Sequence, residues 1–429
     1  MGDAHRQLGN DVLDPKTVTL VGHANFRRLY AGHAVSRIGD ELYFVAAMWL
    51  VYALTGSTFF TGIAAFLSRF PQAIGFLFGP LIDRAPLGRL IVTAEGAQGA
   101  VVLLIPVAAA LGVLNVWVVL AIMPVLGILE RCSGPAQNAA IPRVIDESLL
   151  VRANSLISTG DRAIGALAQA LAGALIAIVG AVSLYALNAA TFVASVLLFS
   201  LLAIPSTEKS GSVPSARDYL EDVAEGVGLV RRSIVVHMVI GAALAAAFLG
   251  MAMAVLPAFA DGIGGATTYG LLLASMTIGS LIGAVGASVL ENVPFGWVTV
   301  GGFTFAAGCW LGAVLAGSLP VVLVLFGLAF VPVGSYNVLV SASVQTGVPE
   351  ELLGRVTATA GSVTGVVGPL GLLVGGTFGD FVGSGTVIAA AAVGFALIAI
   401  YWLVVPELRT LSTVESIGKG SFATSASHD

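Results

Sequence analysis

Long apolar runs alternate with short polar breaks along nearly the whole chain. They fall near 29–54, 59–82, 90–111, 116–140, 153–179 and 182–204, and again near 234–259, 267–290, 297–317, 319–345, 354–380 and 386–406. Bilayer hydrocarbon, about 30 Å thick, is crossed by roughly 20 helical residues, so each run is long enough to span it. None alternates with the period of two that a barrel strand needs, and the runs therefore predict helices. The breaks carry helix-ending chemistry, as in Thr55-Gly56-Ser57 and Asp83-Arg84-Ala85-Pro86. The pattern predicts an all-α integral membrane protein of twelve transmembrane helices. It divides into a tail (1–28), a six-helix bundle (29–204), a linker (205–233), a second six-helix bundle (234–406) and a second tail (407–429).

The two bundles read as copies of one another. Glu147-Ser-Leu-Leu-Val-Arg152 matches Glu350-Glu-Leu-Leu-Gly-Arg355, and in the same register Gly165, Gly173 and Gly180 match Gly368, Gly376 and Gly383. A parallel repeat of six spans is an architecture of transporters that rock about a central site. In the linker, Pro205 to Pro214 is rich in Ser and Pro. Tyr219, Leu220, Val223, Val227 and Val230 then follow at helical spacing beside Arg217, Arg231 and Arg232, predicting an amphipathic surface helix.

Composition sharpens this picture. Hydrophobic residues make up 57% of the 429 and charged residues 10%, against about 25% charged in soluble domains. Of 19 Lys and Arg, four (Arg37, Arg69, Arg131, Arg162) fall inside spans, and the other fifteen all lie on the side of the termini. The positive-inside rule puts both termini in the cytoplasm, and no removable leader is expected. Arg and Ala far outnumber Lys, pointing to a GC-rich bacterium and its cell membrane. No segment is basic enough for nucleic acid. Cys132 and Cys309 lie in apolar runs and read as buried thiols, leaving neither a disulfide framework nor a metal cluster.

Nine charges sit at membrane depth: Arg37, Asp40, Glu41, Arg69, Glu95, Glu130, Arg131, Asp161 and Arg162. Asp40 lies roughly 17 Å along the helix from Leu29, near mid-membrane. A lone charge there costs about 2.5–3.5 kcal/mol, so these groups are expected to pair or to line water. Arg37 reaches Asp40 or Glu41 at helical spacing, Arg69 comes to the depth of Asp40, and Arg131 and Asp161 are expected partners. Five acids against four bases leave one carboxylate over, which makes proton coupling available. Asp40 is the preferred titrating group and Glu130 the second choice; a static salt-bridge network is the other reading.

The second half has no charge in mid-span. Its aromatic residues, among them Phe303, Trp310, Phe326, Phe330 and Tyr336, predict a cavity charged on one wall and greasy on the other, suited to an amphipathic organic molecule. Span eleven carries Gly361, Gly365, Gly368-Pro369, Gly371 and Gly375-Gly376, with Gly368 and Pro369 as a candidate hinge.

The loop Gly79-Pro-Leu-Ile-Asp83-Arg84-Ala-Pro-Leu-Gly88-Arg89 resembles the Gly-x-x-x-Asp-Arg…Gly-Arg loop of the major facilitator superfamily, with two extra residues before Gly88. Asn25-Phe-Arg-Arg-Leu-Tyr30 with Gly39-Asp40, and Pro142 to Asn154, are similar to its drug-efflux and siderophore-export branch. The resemblance implies a gating loop (Gly79, Asp83, Arg84, Gly88, Arg89) in which Asp83 docks at the start of span eleven, where a helix N-terminus carries partial positive charge. It also implies proton-coupled export of small drug-like or siderophore-like molecules, by a monomer without cofactor or metal.

Nutrient uptake by the same fold, or a receptor or scaffold that transports nothing, are the alternatives. An intramembrane enzyme has little support. The five histidines (His5, His23, His33, His237, His428) are scattered, and neither His-Glu-x-x-His nor Gly-x-Ser-x-Gly occurs. The three lysines (Lys16, Lys209, Lys419) lie in no phosphate loop.

Overall fold

The computed structural model describes residues 20, 22–73, 85–204, 233–413, 416–418 and 422, without the side chain of residue 351. The loop around Asp83, with Gly79 and Arg84, and the linker helix around Tyr219 lie outside the described residues.

Helices α1 (Ala24–Thr55), α2 (Thr58–Ala73), α3 (Leu87–Ala110, with a break at Leu103), α4 (Val116–Val144), α5 (Leu150–Val179) and α6 (Ala181–Ser200) form the first half. Helices α7 (Val235–Asp261), α8 (Gly265–Leu290), α9 (Phe295–Leu315), α10 (Leu319–Gly347), α11 (Glu350–Val382) and α12 (Ser384–Val404) form the second. Eleven are long and apolar enough to cross a membrane, and α2 is described over 16 residues, up to Ala73. No strand occurs among the described residues. Twelve crossings put the start of α1 and the end of α12 on one side, the near side; the opposite side is the far side.

Within the first half α1 packs on α5 and α6, α3 on α4 and α6, and α2 on α4. Within the second, α7 packs on α11 and α12, α8 on α10, and α9 on α10 and α12. Two seams join the halves, α2 against α11 and α5 against α8. The internal repeat relates α5 to α11 and α2 to α8, so each seam is the copy of the other.

The glycines of the repeat do the same work in both copies. A Cβ on Gly376 would stand 2.6 Å from the Thr58 carbonyl oxygen and 2.7 Å from the Gly62 Cα. A Cβ on Gly173 would stand 2.6 Å from the Ala266 carbonyl oxygen and 2.7 Å from the Gly270 Cα. Both contacts are backbone against backbone, the close approach that small residues permit between membrane helices. Gly180 and Gly383 turn the α5–α6 and α11–α12 hairpins with φ of 82° and 84° and ψ of 156° and 149°, a region essentially restricted to glycine. The matched residues thus place both seams toward the far side.

The second half is locked by rings. Trp310 of α9 meets Phe326 of α10 at 4.5 Å and Phe395 of α12 at 5.5 Å between centroids. Tyr336 of α10 meets Phe303 of α9 and Trp402 of α12. The Trp310 indole N–H donates to the Ile388 carbonyl at 2.7 Å, satisfying the one polar atom of a fully buried side chain.

Candidate functional site: a cavity between the halves and its charge network

A cavity of about 690 Å³ separates the halves, lined by α1 and α5 on one wall and α8 and α10 on the other. Arg37, Glu41, Asp161, Arg162 and Gln169 face it from the first half, and Thr277, Ser280, Asn337, Ser341 and Gln345 from the second. All lie on the near side of the glycine crossings. The greasy second wall expected from composition is therefore corrected. The rings of α9, α10 and α12 pack on one another, and α8 and α10 turn hydroxyls and amides to the cavity. The volume falls within the range of small-molecule sites.

The far end is drawn together by Asp380 of α11. Its carboxylate accepts from the backbone N–H of Thr58 (2.7 Å) and Phe59 (3.3 Å), and from the hydroxyls of Ser57 (2.5 Å) and Thr58 (2.7 Å). The Thr58 hydroxyl also lies 2.8 Å from the Gly376 carbonyl. An acid on one half thus caps the N-terminus of a helix in the other, satisfying free N–H groups and opposing the helix dipole. Asp380→Ala is expected to loosen this seam more than Asp380→Asn, which keeps one acceptor oxygen. Spin labels at the far ends of α2 and α11 read the difference as a broadened distance distribution. Identical distributions in both variants and the parent chain would leave Asp380 no part in the seam.

Ion pairing departs from the sequence expectation. Arg37 pairs with Glu41 at 2.5 Å, one turn along α1, and Glu41 also accepts from the Gln169 amide at 3.0 Å. Arg131 and Asp161 are not partners: Arg131 pairs with its neighbour Glu130 at 3.0 Å, and Asp161 lies 2.8 Å from His33 Nε2. Arg69 stacks over the Phe44 ring, 4.8 Å from its centroid, and Arg162 lines the large cavity. Among the described residues, three acids, Asp40, Glu95 and Asp161, thus pair with no arginine, where counting left one. For Glu95, serine and glutamine side chains take the place assigned to arginine, and for Asp161 a histidine does.

Glu95 shows this most clearly. It is 1% exposed and accepts from Ser133 (2.6 Å) and Gln137 (3.0 Å) of α4 and Ser195 (2.7 Å) of α6. Gln137 in turn meets His33 Nδ1 at 2.9 Å. His33 and Gln137 were not singled out from sequence. The available signal was polar residues, Ser133, Gln137 and Ser195, inside runs otherwise fit for lipid.

Asp40 lies midway along α1 and has no hydrogen-bond or ion-pair partner among the described residues. It lines a second, inner cavity of about 90 Å³ with Arg69, Glu130, Tyr43, Gln98 and Asn188. The Tyr43 hydroxyl, the Asn188 amide nitrogen and Arg37 Nε on this lining are buried without a protein partner. Buried polar atoms of this kind call for water partners, and the cavity has room for them.

The remaining candidates are placed apart from both cavities. Gly88 and Arg89 begin α3 on the near side, Arg89 exposed. Gly368 and Pro369 lie within the unbroken α11, where the Gly368 carbonyl faces Gly250 of α7. His237 bonds the Tyr401 hydroxyl at 2.7 Å.

Two pseudo-equivalent six-helix bundles around a central cavity define a membrane transporter of the major facilitator superfamily. Residues 17–424 match the transmembrane secretion effector family; the chain belongs to that family, within the drug-efflux branch of the superfamily. Among relatives, the multidrug efflux pump Tap of Mycobacterium tuberculosis is 27% identical over 384 residues, covering 87% of this chain and 91% of its own. Macrolide efflux protein A of Streptococcus pyogenes is 23% identical over 387 residues, covering 86% and 94%. The fold is shared with the nucleoside transporter NupG (TM-score 0.71, 14% identity, 88% of this chain and 98% of that one). It is also shared with a bacterial homologue of the iron transporter ferroportin in its inward-facing state (TM-score 0.65, 17% identity, 88% and 98%).

Proposed function

We propose that the chain exports small organic molecules across the cell membrane by alternating access, driven by protons. The observation that carries this reading is the cavity between the halves. Polar groups line both walls, one wall is charged, and paired glycine crossings with the Asp380 cap lie beyond it toward the far side. The positive-inside bias of the sequence supports cytoplasmic termini; on that reading the near side is the cytoplasmic side and the cavity is that of an inward-facing state. Relatives named for multidrug and macrolide efflux favour export over uptake. The lining favours substrates with hydrogen-bonding groups on two faces and at least one charge, held against Arg37, Glu41, Asp161 and Arg162.

Asp40 is the proposed coupling group. It is a mid-membrane carboxylate without a fixed partner, in the inner pocket beside Arg69 and Glu130, and Arg37 and Glu41 line both that pocket and the main cavity. A growth-inhibition panel of varied toxic compounds, with and without the protein, identifies a substrate. With that substrate in proteoliposomes, Asp40→Asn is expected to abolish gradient-driven extrusion while leaving substrate exchange within about twofold of the parent. Uphill transport by a monodisperse Asp40→Asn protein would transfer the coupling role to Glu130.

A further inference from the structure

The contacts running from Asp161 to Glu95 obey a simple count. Asp161 Oδ1 meets His33 Nε2 at 2.8 Å, His33 Nδ1 meets Gln137 Oε1 at 2.9 Å, and Gln137 Nε2 meets Glu95 Oε1 at 3.0 Å. Each of these three contacts needs one hydrogen. The Gln137 amide supplies a hydrogen to one of its two neighbours and an oxygen to the other. A neutral imidazole supplies one hydrogen. With both carboxylates ionised and His33 neutral there are therefore two hydrogens for three contacts. One proton is missing whichever way the amide is turned: with its oxygen toward His33 the deficit falls at one of the two His33 contacts, according to the tautomer, and with its nitrogen toward His33 it falls between Gln137 and Glu95.

The surroundings decide where the proton sits. Glu95 accepts from two serine hydroxyls as well as from the amide, so both of its oxygens already serve as acceptors. The amide nitrogen then faces Glu95 and its oxygen faces His33, so His33 Nδ1 must donate and a further hydrogen is needed at Nε2. We propose that this chain stores one proton at neutral pH, with His33 held as an imidazolium between Gln137 and Asp161. Asp161 lines the large cavity, so the store is loaded and unloaded from there. A turn of the Gln137 amide, with the proton of Nδ1 lost and one gained at Glu95 Oε1, moves the same charge into the bundle interior. The other ionisable groups facing the chain are Arg37 and Tyr30 of α1, beside His33 and Asp161, and Asp40 of α1, beside Glu95. This proton site is separate from Asp40 and extends the proton-driven reading above.

Two isosteric substitutions test it, because each supplies the missing hydrogen from an amide. In Asp161→Asn the new amide donates to Nε2, leaving His33 neutral with its hydrogen on Nδ1. In Glu95→Gln the new amide donates to Gln137 Oε1, the Gln137 amide turns, and His33 is neutral with its hydrogen on Nε2. Nitrogen-15 resonance of ring-labelled histidine in the full-length protein in nanodiscs reads all three states, with the His33 signals assigned by their loss in His33→Asn. The expected result at neutral pH is two protonated ring nitrogens in the parent chain and opposite neutral tautomers in the two variants. A neutral His33 in the parent, or an imidazolium that survives Asp161→Asn, overturns the proposal. The spectra need neither substrate nor gradient, so their outcome is independent of the Asp40 transport assay.

Discussion

Valine at Gly173 or at Gly376 is expected to open the far side of the molecule. At both positions the added Cβ meets a carbonyl oxygen and a Cα of the opposing helix, and backbone cannot rotate away as a side chain can. Overpacking of this kind costs about 1–3 kcal/mol. Here the strain falls on the state in which the seams are closed, so it is relieved by parting the halves on that side. An energy of that size shifts a two-state equilibrium by roughly 5–150-fold. The measurement is reagent access to a cysteine at Ser280 on the cavity wall, with Cys132 and Cys309 replaced. Labelling from the near side should fall and labelling from the far side should rise. Gly286 and Gly361, where an added Cβ meets nothing within 4 Å, serve as controls. Well-folded Gly173→Val and Gly376→Val proteins that label like the controls would show that the crossings do not hold this state together.

The second large effect is expected at Glu95. Alanine there leaves the Ser133 hydroxyl and one Gln137 amide hydrogen without their acceptor in a buried site, while the amide keeps the Ser133 oxygen at 2.9 Å. Ser195 keeps an alternative in the Phe192 carbonyl at 3.0 Å. Unsatisfied buried donors cost about 1–3 kcal/mol each and the emptied volume adds to this, so the total loss is on the order of 3–5 kcal/mol. Glu95→Gln fills the same space and keeps polar partners for all three neighbours, and should lose less than half as much. Thermal unfolding in detergent separates the two. Equal melting temperatures for Glu95→Ala and Glu95→Gln would mean that the hydrogen bonds around Glu95 contribute nothing measurable to the bundle.

The helices were legible in the sequence because lipid imposes a constraint that few residues can evade. A span must be apolar and roughly 20 residues long, and the breaks at Gly56, Gly180 and Gly383 fall where helices end. The repeat was legible too, since two of its glycine pairs, Gly173 with Gly376 and Gly180 with Gly383, sit where close approach or a positive φ disfavours any other residue. Partners were not legible. Arg131 and Asp161 lie at matching depth on successive spans, yet depth fixes only one coordinate, and rotation about each helix axis decides which side chains meet. The second cavity wall was misread for a related reason. Ser280 and Ala284 on α8, and Gly334, Asn337, Ser341 and Gln345 on α10, recur every three or four residues and so share one face. That stripe was present in the sequence. It was outweighed by the larger aromatic residues, whose bulk says nothing about direction.

Those aromatic residues have a mechanical consequence. Rings from α9, α10 and α12 interlock edge to face around Trp310 and Tyr336, and Phe259 ties α7 to the same stack. Bending any one of these helices relative to its neighbours would part several ring contacts at once, each worth about 0.5–1.5 kcal/mol beyond its area. The first half has an apolar core of its own, with Phe26, Phe192 and Phe199 buried. Beside it runs a chain of hydrogen bonds from Asp161 through His33 and Gln137 to Glu95, contacts that exchange over shorter displacements than interlocked rings. The two halves thus differ in what a displacement must break: ring contacts in the second, polar contacts beside a core in the first. On the transport reading proposed above, strain from a substrate in the cavity falls on the side that holds Asp40, His33 and Glu95, the groups assigned to proton sites.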